Sequence, residues 1–132
     1  NPVYYIQYAY ARANSVLNKY ESLFPGKLQS MLQQKYDFSS VTDAESLLVK
    51  MLSDYPKIIE SAGKNKAPNL LTKYLEELAS AFHSLWAPHS GVKLIDESDI
   101  STTNNHMLLV VALKNVIANG LKTLGCSFKE VM

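Results

Sequence analysis

The sequence predicts an all-α fold, a single helical bundle over residues 1–132, and three observations carry that expectation. Apolar residues recur at steps of three and four through three long stretches, 1–24, 69–87 and 103–124, the spacing that lines one side of a 3.6-residue turn. Breakers punctuate the sequence around and between them, Pro25-Gly26 and Gly63 among them. With 132 residues and 47% hydrophobic content, the chain is of ordinary single-domain size and can bury one core.

The first helix has two unlike faces. Asn1 is placed to cap the free amides of its first turn, and Pro2 sits where a missing N–H does no harm. Val3, Ile6, Tyr10, Ala13, Leu17, Tyr20 and Phe24 form the expected core face. Tyr5, Tyr8, Arg12, Ser15 and Lys19 fall nearly opposite, so two phenol rings and a guanidinium stack one above another on the outer side. Such a ladder either packs against a neighbouring element or grips unstacked bases. Composition bears on the choice, because Arg12 is the single arginine in a chain that otherwise uses lysine. Arginine offers a flat, five-donor fork that lysine cannot imitate.

After Pro25-Gly26, residues 27–36 make a short helical or irregular continuation and residues 37–41 a loop. Thr42 and Glu45 have the reciprocal spacing of a capping box and open a helix whose Leu47, Leu48, Met51 and Leu52 are expected to face inward. Pro56 ends or kinks it, and residues 57–62 form a further short helix before the polar, turn-rich run 63–68. From Asn69 to about Ala87 the stripe Leu71, Tyr74, Leu75, Leu78, Phe82 and Leu85 faces the first helix. Trp86 lies at the edge of that stripe, and His83 lies off it, suited to a surface hydrogen bond. Residues 88–103 read as a long mobile loop. The closing helix, about Thr103 to Leu124, is apolar around most of its circumference and is expected to be the most buried element. Gly120 inside it marks a close helix crossing, and Gly125 ends it.

The residues offer no catalytic constellation. His83, His89 and His106 lack ligand spacing, no phosphate loop is present, and Glu76 and Glu77 diverge on a helix. One cysteine, Cys126, excludes an internal disulfide and a cysteine-based zinc site, and fits a reducing, cytoplasmic setting. It reads as a small buried hydrophobe, with a hydrolase nucleophile as the rival. The apolar run 107–113 is too short to span a bilayer, and no signal peptide is expected. A net charge of +1 gives no basic field, so any RNA contact must rely on shape and stacking.

Three motifs carry a resemblance. The run NPVYYIQYAYAR is similar to the opening helix of the C-terminal anticodon-binding domain of arginyl-tRNA synthetases, the all-helical domain named for its DALR signature. Ala67-Pro68-Asn69-Leu70-Leu71 followed by YLEELASAFHSLW resembles that domain's YLxxLAxxFHxFY segment, and LLVVALKNVIANGLKTLGCSFKEVM resembles its closing helix and short tail. Together they span the chain in order. The resemblance implies one anticodon-binding domain over residues 1–132 that binds the anticodon arm of arginine tRNA beside the catalytic domain of the same chain, without a membrane. It further implies no cofactor here, with ATP and Mg²⁺ serving the parent ligase through HIGH- and KMSK-like motifs that these residues lack. On that basis Tyr5, Tyr8 and Arg12 would face the anticodon loop, Phe82 and Trp86 would stack bases from the aromatic end of the second long helix, and Met132 would add a hydrophobic wall. Val131 stands where the family usually has arginine. The alternative is a helical protein-interaction module using the exposed Tyr/Arg face.

Overall fold

Helix α1, Pro2–Leu23, begins where its cap chemistry dictates: the Asn1 side chain accepts from the Val3 amide at 2.9 Å. It ends as Phe24 N–H bonds to Tyr20 and the chain turns through Gly26 at φ +77°. The computed structural model describes residues 1–125, and among these every regular element is helical. After α1 come α2 (Leu28–Leu32), α3 (Asp43–Ser53), α4 (Tyr55–Lys64), α5 (Pro68–Leu85) and α6 (Ile100–Thr123), with short 3-10 turns at Phe38–Ser40 and Pro88–Ser90.

The expected stripes form the core, except that Val3, Phe24 and Leu85 near the helix ends are only partly buried. Ile6, Tyr10, Ala13, Leu17 and Tyr20 of α1 meet Leu71, Leu75, Leu78 and Phe82 of α5 and Val110, Leu113 and Ile117 of α6, all buried. Helix α6 lies against α1, α2, α3 and α5, which places it in the middle of the bundle as its all-round apolarity requires. The crossing at Gly120 is as close as the glycine implied: a Cβ there would lie 2.7 Å from Leu75 Cδ1 and 2.8 Å from Cδ2. Side-chain bonds fasten the smaller elements to this frame. Tyr20 donates to Asn104 at 2.7 Å, Tyr74 donates to the Met51 carbonyl at 2.6 Å, and Tyr55 donates to Asn119. The Asn105 amide holds Asp37 by both its N–H and its carbonyl, at 2.7 and 3.1 Å.

Several expectations are corrected. The capping box at Thr42 and Glu45 is present, yet Leu47 is 58% exposed, and only Leu48 of the expected inward set is fully buried. An 11-residue helix at the edge of the bundle covers a narrower stripe than its apolar content would fill. Pro56 lies in the first turn of α4 and so starts a helix, consistent with its fixed φ and absent N–H. Gly63 does not interrupt α4, which runs to Lys64. The stretch after α5 is shorter and better tied than a free loop. Asp99 caps α6 three residues earlier than the apolar pattern marks, by accepting from Thr102. Asp96 N–H donates to Thr103 Oγ1, whose hydroxyl donates back to the Asp96 carbonyl, and the His106 ring bonds to the Leu94 carbonyl.

Candidate nucleic-acid interface

Helices α1 and α5 pack together, so the outer face of the first half of α1 meets the last turns of α5. Tyr5 and Tyr8 are 38% and 45% exposed. Neither stands alone: Tyr8 stacks on His83 with ring centres 5.0 Å apart and planes at 27°, and Tyr5 meets His83 edge-on at 5.3 Å. One side of the Tyr8 ring therefore rests on imidazole while the ring keeps nearly half its surface open.

Arg12 is partly buried and engaged at both ends of its fork. Nη2 donates to the Trp86 carbonyl at 2.6 Å, Nη1 donates to His83 Nδ1 at 2.9 Å, and the guanidinium lies 4.9 Å over the Phe82 ring. The Trp86 carbonyl belongs to the C-terminal end of α5, where unsatisfied carbonyls concentrate partial negative charge, so the cation caps that helix. Because a guanidinium only donates, His83 Nδ1 must be the acceptor, and its proton is assigned to Nε2. That atom and Trp86 Nε1 are buried without hydrogen-bond partners. Burial, and secondarily the Arg12 charge, holds the His83 imidazole below its ordinary pKa, which favours the neutral form that Arg12 needs.

These residues open onto a shallow pocket of about 370 Å³ lined by Tyr5, Tyr8, Arg12, His83, Ala87 and Pro88. Its size is at the small end of ligand sites, and its walls combine aromatic faces with guanidinium N–H groups. A second groove beside it is lined by Tyr5, Lys73, Glu76, Glu77 and Ser80. The carboxylates there repel phosphate, so a polyanion is better received on the Arg12 side of Tyr5 than on the Glu76 side.

Three of the six expected residues thus come together: Tyr5, Tyr8 and Arg12. Phe82 and Trp86 do not join them at the surface. Phe82 is 0% exposed and Trp86 4%, and they pack edge-on to each other at 5.6 Å, with Trp86 also against His106. Phe82 continues the same three- and four-residue steps that bury Leu71, Leu75 and Leu78, and Trp86 follows one turn later, so both serve as the floor under Arg12 and His83. Met132, Cys126 and Val131 lie outside the described residues. His83 is the member of the cluster that periodicity missed. Its position off the stripe of α5 was legible, but the element it would meet was not.

The model of the DALR anticodon binding domain family matches residues 6–132. The chain belongs to this family. Its relatives include arginine–tRNA ligases of Methylobacterium nodulans, 38% identical with 100% of this chain and 23% of that protein covered, and of Thermococcus kodakarensis, 38% identical over 97% and 19%. The Rickettsia akari enzyme is 36% identical over 95% and 22%. This DALR domain chain therefore spans about a fifth to a quarter of the length of the relatives it matches. Among its described residues no group of three His, Cys, Asp or Glu side chains could hold a metal, and no helix is long and apolar enough to cross a membrane.

Proposed function

We propose that this domain binds the anticodon arm of arginine tRNA as one part of an arginine–tRNA ligase. The observation that carries the reading is the Tyr5–Tyr8–Arg12 surface on a chain of the DALR family. Two exposed phenol rings beside a pinned cation suit a splayed, single-stranded loop, which is recognised by stacking and edge contacts and needs no strong basic field. The open side of Tyr8 takes a base, Tyr5 borders it, and the uncommitted N–H groups of Arg12 reach a phosphate or a base edge. Ligation itself, with ATP and Mg²⁺, belongs to the catalytic part of the longer chain, and the cytoplasm is where such an enzyme meets its tRNA.

Tyr8→Ala in the full-length enzyme tests this. A base–aromatic stack contributes about 1–3 kcal/mol, so KM for arginine tRNA rises roughly tenfold or more while KM for arginine and for ATP stays unchanged. If all three constants shift together with a lower melting temperature, the face is a docking surface for the rest of the protein and the RNA reading is wrong.

A further inference from the structure

The contacts around His83 go beyond a passive shelf. We propose that His83 is a positioning residue for RNA binding, its Nδ1 aiming the Arg12 guanidinium and its ring supporting Tyr5 and Tyr8, so that protonating the imidazole dismantles the surface and makes RNA binding pH-dependent. The inference rests on the RNA reading above.

The geometry permits one charge state. Arg12 has donors only, and its Nη1 lies 2.9 Å from His83 Nδ1, so that nitrogen must present a lone pair. A proton added there sets N–H against N–H and cation against cation across the same gap. The two groups cannot then stay together, and the guanidinium loses one of the two acceptors that hold it, keeping the Trp86 carbonyl alone.

Among the described residues no carboxylate pairs with the ring to hold an added proton. From α1 it meets Arg12 and the phenols of Tyr5 and Tyr8; on its own helix it meets Phe82. The turn beyond contributes Ala87 and Pro88 to the shared pocket, with His89 exposed next to them. From α6, His106 lies against Trp86 and is engaged by Glu45 at 3.5 Å. Among the described residues the only carboxylate paired with a histidine is therefore Glu45, and it serves His106. The acids on this flank, Glu76 and Glu77, line the neighbouring groove.

The test measures the dissociation constant of full-length protein for arginine tRNA by filter binding at constant moderate salt, from about pH 8 down to about pH 5, a window carried below the ordinary histidine range because burial and the Arg12 charge hold this imidazole low. In the unaltered protein, affinity is steady near neutral pH and falls at the acid end, the slope steepening toward tenfold per pH unit for one proton only below the lowered pKa of the imidazole. His83→Asn keeps an acceptor near the Nδ1 position but cannot be protonated there, so its affinity is lower at neutral pH and its profile is flat. His83→Phe keeps the ring without the acceptor, and adding Arg12→Gln to it changes affinity less than Arg12→Gln does in the unaltered protein, because the two residues act as one unit. A flat profile in the unaltered protein, or an undiminished fall in His83→Asn, overturns the proposal while leaving the RNA reading in place. Absence of specific arginine tRNA binding at every pH overturns both.

Discussion

Replacing Arg12 with lysine keeps the charge and removes the fork, which makes it a sharp test of what this arginine does in the fold. The guanidinium holds the Trp86 carbonyl at 2.6 Å and His83 at 2.9 Å simultaneously, over the face of Phe82. A lysine ammonium has the reach for one of these acceptors and lacks the flat surface for the ring. The charge at the end of α5 survives, so the helix-dipole contribution of about 0.3–1 kcal/mol is retained. What is lost is one hydrogen bond to a charged group, about 1.5 kcal/mol at the low end that a partly exposed site warrants, together with about 0.5 kcal/mol of cation–ring contact. At an unfolding entropy of roughly 2.1 cal/mol/K per residue, a loss of about 2 kcal/mol across 132 residues lowers the melting temperature by about 7 °C. Far-ultraviolet circular dichroism on this chain reads it directly, with Arg12→Ala melting lower still. A guanidinium held out solely for phosphate predicts otherwise. If Arg12→Lys melts within about a degree of the unaltered chain, the capping role assigned here is refuted.

Two further outcomes concern the frame. Gly120→Ala lowers the urea midpoint even though alanine is the better helix former by about 1 kcal/mol, because its methyl group would lie 2.7 Å from the fully buried Leu75 and the overpacking costs about 1–3 kcal/mol; an increase in stability would show that the crossing relaxes freely. Thr42→Ala removes the acceptor for the Glu45 amide and the near half of the capping box, and lowers stability by about 1 kcal/mol in the same titration, whereas an unchanged midpoint would mean that α3 is held by its packing alone.

What the sequence determined by itself was local or periodic. Helix starts were legible at Asn1 and Thr42 because capping depends on side chains within three residues of the amides they satisfy. The core faces of α1, α5 and α6 were legible because burial repeats with the helical turn, and the crossing at Gly120 because a glycine in a long apolar helix calls for a close neighbour. The motifs that identify the DALR family were legible for the same reason, being short runs in order along the chain. The tertiary structure decided what each face meets. Periodicity placed Arg12 on the outside of α1 and His83 off the stripe of α5, but nothing in either window states that residues 71 positions apart will share a hydrogen bond. It also placed Phe82 in a core stripe, and family likeness placed it at the RNA; the packing of α1 over α5 settled the matter in favour of burial. The same holds for the stretch after α5, whose order comes from Thr103 and His106 reaching back to Asp96 and Leu94. A helical repeat specifies a direction in which a side chain points, whereas the partner in that direction is set only when separate helices dock and exclude water between them.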